Sequence, residues 1–391
     1  MADAETILRE LIEKILQKLN YDLPEITIRA LTSGGANYTS TLYSATVESR
    51  NNARLKLFAK FANVYDKIRQ IMKIETLFST EDFVYTDLAT VYSKLEEKHC
   101  VPRDERFNFP KFYGSNLNDK QETVVLEDLV YNGYGMYSRF KSVDWEHMAE
   151  AVKALAKFHA LSFAYRKEDP VNFEKTAERL KVVPDTTSSP EMKGTWSKMM
   201  NAAVQVVKEE YKERLLKFLS EESSREDFYR FRMPLSTPVL CHGDYRISNL
   251  MFRRQNDDLK PIVVDYQLIH PGSPVADLLY LEFMGTDEQF REENHQRLLD
   301  YYHEQLALAL GRLDVDSEVY SRETFDSELR EMLPLTLRMA AVILPLVTVE
   351  AERAPRLDGA ADVGDMAVAP SQLFAERFRG IVNDCVRWGA L

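Results

Sequence analysis

Between residues 26 and 60 apolar and polar positions alternate in three short runs, ITIRAL, TLYSATV and LKLFAKF, separated by a Ser-Gly-Gly break and a polar turn at 48–52. Alternation with period two, bounded by turn residues, predicts three antiparallel strands joined by tight loops. Ahead of them Ile7, Leu8, Leu11, Ile12, Ile15, Leu16 and Leu19 recur at helical spacing opposite charged positions. That pattern predicts a helix with one buried stripe, packed on the strands. Residues 66–98 carry a helical apolar rhythm, and FPKFYGSN and TVVLEDLV then read as two more strands. After Asn132 and Gly133 the pattern becomes mainly helical; Met148, Ala151, Val152, Leu155, Phe158 and Ser162 fall on one helix face. A boundary is therefore expected at 127–133, dividing the chain into a sheet-and-helix part (1–128) and a larger helical part (129–391).

Within the second part, residues 165–238 are polar and helical around the loop PDTTSSP, and are expected to form an insertion that shapes a pocket. Beyond Thr237 a strand, the polar segment HGDYRISN, a strand at 250–252 and the strand PIVVDYQ follow one another. Two short strands around a polar loop make a rigid mount for chemistry. The remainder is helical except for 354–371, rich in Pro, Gly and Ala, which is expected to be a mobile flap.

Composition narrows the options. A hydrophobic content of 45% with 11% aromatic residues supports packed cores, while a net charge of −12 argues against nucleic acid or an anionic membrane as partner. Cys100, Cys241 and Cys385 lie far apart in no metal-ligand spacing, and an odd number cannot pair fully within one chain. Reduced thiols and a cytoplasmic location are the expectation. No basic segment followed by an apolar core opens the chain, so no secretory signal is expected. The apolar stretch 339–349 is interrupted by Pro345 and flanked by Arg338 and Glu350, which predicts a buried helix and no membrane span.

The chemistry sits in His242-Gly243-Asp244-x-x-x-x-Asn249, followed by Asp265 after the apolar run Ile262-Val263-Val264. Phosphoryl transfer from ATP needs a carboxylate on the attacking hydroxyl, plus an amide and a second carboxylate on magnesium; protein kinases use Asp-x-x-x-x-Asn and a later Asp. The spacing here has the same form. If Asp244 and Asn249 merely closed a turn, Asp265 would need a separate reason. Arg246, two residues after the base, is assigned to neutralise charge developing on the phosphoryl oxygens; the rival reading is a surface arginine bonded to backbone carbonyls. His242 is read as holding the loop, Asp277 as capping a helix or binding the backbone of the catalytic loop, and His159 as a satisfied core histidine. Ser33, Gly34 and Gly35 between two strands are candidates for a backbone cradle near the phosphates, although Gly-Gly between strands is ordinarily a turn. Lys60 and Lys56 share one face of the third strand, where a kinase places the lysine that reaches the α- and β-phosphates.

HGDYRISNLMF and VVDYQ resemble the aminoglycoside phosphotransferase and choline kinase superfamily, and more closely the ecdysteroid kinase-like family of arthropods and related animals. LEDL at 126–129, LAKFHALSFA at 155–164 and PGSPVADLLYL at 271–281 extend the resemblance over most of the chain. It implies an α+β, bilobal protein-kinase-like fold, with an antiparallel sheet plus helix in the N-lobe and a larger, mainly helical C-lobe. It also implies ATP-dependent transfer to a hydroxyl, with Asp244 as base and Asn249 and Asp265 as magnesium ligands. FAKF favours Lys60 over Lys56, and Phe78-x-x-Glu81-x-x-x-Tyr85 favours Glu81 over Glu75 as its partner. Glu127, Asp128 and Leu129 would form the hinge that binds the adenine edge. Tyr266 stands where the family usually has Phe. The implied acceptor is a small hydroxylated molecule, an ecdysteroid or another lipophile, with 333–349, Tyr280, Phe283 and Met284 as candidate pocket walls or plain core. A choline- or ethanolamine-type kinase and a non-catalytic binding module for a hydrophobic ligand are the alternatives. A protein kinase fits less well, because neither an H-R-D loop nor an A-P-E segment is present and Asp265 leads into Tyr-Gln.

Overall fold

The computed structural model describes residues 3–32, 40–64, 66–181, 190–220, 229–353 and 368–391. The alternating runs form strands β1 (Glu25–Leu31), β2 (Ser40–Glu48) and β3 (Leu55–Ala62), and the later pair forms β4 (Phe112–Asn116) and β5 (Thr123–Glu127). They build one antiparallel sheet in the order β1-β2-β3-β5-β4. Because side chains alternate along a strand, the sheet has two different faces. Ala45, Val47, Leu57, Ala59 and Val125 pack against Leu8, Ile12, Ile15 and Leu16 of helix α1 (Ala4–Lys18). Ala62, Val124 and Leu126, with the half-buried Phe58, join the main core on the other side. Lys60, which pairs with Val124 in register, belongs to that inner face.

Residues 66–98 are helical but broken. Helix α2 (Asp66–Met72) ends at Lys73, whose φ of +48° is left-handed, and α3 (Ile74–Phe83) runs through one π-helical turn, Val84–Leu88, into α4 (Ala89–Lys98). A π turn shifts the face that follows it. The helical part begins with α5 (Trp145–Glu168), started by Asp144, whose side chain accepts the His147 N–H, and continues through α6 (Pro170–Leu180), α7 (Pro190–Gln205) and α8 (Glu209–Ser220).

Strand β6 (Gly135–Met136) lies beside β8 (Leu250–Gln255), which pairs with β9 (Asp258–Val263). The strand entering the polar segment, β7 (Val239–Cys241), pairs with β10 (His270–Gly272), a strand that the alternation pattern did not indicate. Helices α9 (Pro274–Gly285), α10 (Glu288–Arg312), α11 (Arg322–Thr348) and α12 (Gln372–Arg387) complete the chain. Among the described residues one helical stretch, Ser317–Thr348, has the length and apolarity to cross a membrane, and 78% of its most apolar window is buried inside the protein. It is a core helix. Of the expected flap, 354–367 lie outside the described residues.

α12 docks through charges as well as apolar contact. Arg291 Nε donates to Asp384 Oδ2 at 2.6 Å with both side chains fully buried, and His295 Nδ1 meets Glu282 Oε1 at 2.9 Å while its ring stacks on Trp388. Burial alone would lower the His295 pKa, but Glu282 outweighs it and the net shift is upward. A histidine raised in the folded state contributes stability that is complete below its unfolded pKa of about 6.5 and is lost as pH rises through the folded value. Urea unfolding between pH 6 and 9 should therefore show wild type losing stability with rising pH, and His295→Gln should be flatter over the same range.

Candidate active site

Lys60 Nζ projects from β3 into a nearly water-free position and makes three contacts: Glu81 Oε2 of α3 at 3.0 Å, Asp265 Oδ1 at 2.5 Å and Gln267 Oε1 at 3.0 Å. Burial opposes the charge, and the two carboxylates more than offset it, so Lys60 is held above the usual lysine range. For Asp265 burial acts upward, but Lys60 and then Arg246 and His242 bring its pKa below the usual carboxylate range. The rivals stand elsewhere: Lys56 Nζ donates to Thr46 Oγ1 and lies 5.9 Å from the Tyr131 ring, and Glu75 is exposed.

The polar segment between β7 and β8 is a tightly wound loop. Gly243 has φ +81°, and a Cβ there would lie 2.3 Å from the Leu268 carbonyl oxygen, so only glycine fits without movement. The carboxylate of Asp277, in the first turn of α9, accepts the His242 N–H at 2.6 Å and the Gly243 N–H at 3.0 Å. Of the two roles expected for Asp277, the structure has the second. Ser273 caps the helix. Asp277 also bonds His159 Nε2 at 3.3 Å, and His159 Nδ1 takes the Tyr302 hydroxyl at 2.8 Å, so this histidine is fully satisfied in the core. Burial works against the Asp277 charge, and the His159 bond with the neighbouring imidazoles outweighs it. His242 Nε2 faces the Val264 carbonyl at 3.1 Å and must carry the proton; Nδ1 then accepts the Asp244 N–H at 3.3 Å. His242 thus ties the loop to the strand leading to Asp265.

Asp244 is buried and crowded with donors. Its Oδ2 accepts from Asn249 Nδ2 at 2.9 Å and Arg246 Nε at 3.0 Å, and its Oδ1 accepts the Tyr280 hydroxyl at 2.9 Å. Asn249 Nδ2 also reaches the Asp244 carbonyl at 2.9 Å, so its Oδ1 points away with no partner among the described residues. Val264 N–H donates to the Asn249 carbonyl at 3.0 Å, which sets Asp265 next to Asn249 in the fold. Asp265 has a left-handed backbone, φ +71°, a costly conformation for a residue with a Cβ that tends to mark working sites. Its Oδ2 likewise has no partner among the described residues. Two uncommitted oxygens, from an amide and a carboxylate, suit a hard cation such as magnesium.

The remaining sequence candidates are distributed around this centre. Glu127 ends β5 and is tied back by the Lys111 N–H and by Asn132; Leu129 is buried beyond the strand, and its N–H has no acceptor among the described residues. Ser33, Gly34 and Gly35 lie outside the described residues. Tyr266 is wholly buried, in ring contact with Tyr85, Phe109, Phe158 and His242, and its hydroxyl has no hydrogen-bond partner among the described residues. An aromatic ring without the hydroxyl would fill that place equally well. Of the proposed pocket walls, Phe283 packs against Trp388 and Arg291 in the core, and Met284 is buried. Two contacts escaped sequence reasoning: Gln267 on Lys60 and Tyr280 on Asp244. Tyr280 stands three residues after Asp277 and so shares its helix face, which is the one signal that placed it near the loop.

A sheet-borne lysine paired with a helix glutamate, set against a loop with Asp, Asn and a following Asp, is the arrangement of a kinase-like fold. The model of the ecdysteroid kinase-like family matches residues 34–315, and the chain belongs to that family. Solved structures with a similar course include an ethanolamine kinase from Plasmodium vivax, 12% identical, with 94% of this chain and 84% of that one covered and a TM-score of 0.43. A microcompartment-associated aminopropanol kinase is 12% identical over 96% of this chain and 95% of its own, with a TM-score of 0.42. An aminoglycoside-3'-phosphotransferase of type VIII is 14% identical over 81% of this chain and 99% of its own, with a TM-score of 0.37. No curated protein matches the sequence.

Removing the Asp277 carboxylate would strand two loop N–H groups and a buried histidine. Asp277→Ala should cost about 3–5 kcal/mol in urea unfolding, the range for breaking a buried charged network. A loss below about 1 kcal/mol, the size of an ordinary hydrogen bond, would contradict the role given to Asp277.

Proposed function

We propose that this protein transfers the γ-phosphoryl group of ATP to a hydroxyl of a small organic molecule, with Asp244 as the base. The observation that carries the reading is the joint use of one lysine by Glu81 and Asp265, beside two oxygens, Asn249 Oδ1 and Asp265 Oδ2, that have no partner among the described residues. Phosphoryl transfer depends on positioning and charge neutralisation more than on covalent help from the protein. These residues supply cations for the phosphates and oxygens for a metal. Magnesium, when bound, neutralises the phosphate oxygens, and Asn249 and Asp265 are the residues to hold it. Lys60 would then exchange part of its contact with Asp265 for the α- and β-phosphates, keeping Glu81. The Leu129 N–H is available to the adenine edge.

In the transfer itself the acceptor hydroxyl donates its hydrogen bond to Asp244 and attacks the γ-phosphorus. A new oxygen–phosphorus bond forms, the bond to the bridging oxygen breaks, and ADP leaves with that electron pair while the proton passes to Asp244. Arg246 Nε is held by Asp244, and its two terminal nitrogens have no partner among the described residues, so they are free to face the phosphoryl oxygens. The family name points to a hydroxylated steroid as acceptor class. The presence of lysine, base and both metal-ligand candidates favours catalysis over a binding module that keeps only the fold.

Incubation with γ-labelled ATP, magnesium and a panel of hydroxylated small molecules, an ecdysteroid among them, should yield a labelled organic product. Asp244→Asn should lower its formation by about 100-fold or more, the usual contribution of a general base. ATP should raise the melting temperature only when magnesium is present. Absence of any ATP-linked shift at millimolar concentration would overturn the proposal.

A further inference from the structure

We infer that Tyr280 is the positioning residue for Asp244, and that the acceptor hydroxyl enters beside its phenol oxygen. The inference rests on reading Asp244 as the base. An ionised carboxylate offers about four lone-pair sites, two on each oxygen. Both on Oδ2 are taken, by Asn249 Nδ2 and Arg246 Nε. Of the two on Oδ1, Tyr280 occupies one. Among the described residues a single site therefore remains on Asp244 for an incoming hydroxyl, on the oxygen that Tyr280 also holds.

The phenol is well placed to define that site. Tyr280 is 6% exposed and rides on α9, which the loop grips one turn earlier through both Asp277 oxygens. Carboxylate and phenol are thus anchored to the same helix, so the Asp244 rotamer cannot drift without breaking a contact with that helix. Burial, and then Asp244 itself, push the Tyr280 pKa well above the ordinary phenol value. Arg246 and Asn249 hold the opposite edge of the carboxylate. Without the phenol, Asp244 would be free to tilt about those two bonds, and the nucleophile would lose its fixed line of approach.

Water serves as the test acceptor, since slow hydrolysis of ATP uses the same base and needs no knowledge of the natural substrate. Tyr280→Phe keeps the ring and removes only the hydroxyl. Its kcat for magnesium-dependent ATP hydrolysis should fall about tenfold, the size expected for one hydrogen bond to a charged group, with KM for ATP within about twofold of wild type. The double variant with Asp244→Asn should be no slower than Asp244→Asn alone, because residues that act as a unit are not additive. An unchanged kcat in Tyr280→Phe, a full extra tenfold loss in the double variant, or loss of the magnesium-linked ATP melting shift together with kcat would overturn the inference; the last would mean that the hydroxyl is only structural. A wild-type protein that neither hydrolyses ATP nor shows that shift would instead remove the kinase reading itself, and the inference with it.

Discussion

A charged ammonium group buried between a sheet and a helical core must find carboxylates or it will not remain charged. Lys60 finds two, from parts of the chain far apart in sequence: Glu81 in α3, between β3 and β4, and Asp265 beyond β9. The pair costs desolvation on both sides, and such clusters are seldom efficient stabilisers compared with apolar packing. What the cluster fixes is geometry. It joins the sheet, α3 and the loop after β9 at one point, and every other residue of the proposed site is arranged with respect to that point. Removing one partner with nothing in its place would leave an uncompensated buried charge.

Around this point the 242–249 loop is held by two helices: the Tyr245 hydroxyl donates to the Ala151 carbonyl of α5 at 2.8 Å, and α9 grips the other side. α9 supplies Asp277 to the loop backbone and Tyr280 to the loop carboxylate, two contacts three residues apart on one helix face. His242 ties the same loop to the strand before Asp265. A loop gripped on both sides can hold Gly243 in a left-handed conformation, because the surroundings over-determine it. The aromatic cluster about Tyr266 fills the space between this assembly and the helices that follow the sheet, so rigidity at the loop is shared with the rest of the core.

Much of this was legible in the sequence. Alternation marked the first three strands of the sheet, two further apolar runs marked β4 and β5, and helical spacing marked α1 and α5. The spacing of Asp244, Asn249 and Asp265 was readable because it is set by local chain geometry. The lysine was not decided by residue pattern, since Lys56 and Lys60 lie on the same face of one strand. Nor was its partner, since Glu75 and Glu81 lie in one helix, α3, and the residue pattern alone does not say which of them meets the lysine. The pairing of β7 with β10 was missed because three residues carry too little alternation to register. Gln267 and Tyr280 touch the site through tertiary packing, and no local pattern encodes a contact of that kind.

In the proposed reaction Lys60, Asn249 and Asp265 converge on one metal-bound nucleotide. Crystals grown with manganese and a non-hydrolysable ATP analogue test it directly, because manganese can replace magnesium and reveals its position by anomalous scattering. The account predicts one or two strong peaks bonded to Asn249 Oδ1 and an Asp265 carboxylate oxygen, with Lys60 turned toward the α- and β-phosphates and still paired with Glu81. Manganese and triphosphate bound away from Asn249 and Asp265, with the Lys60–Asp265 contact undisturbed, would contradict it.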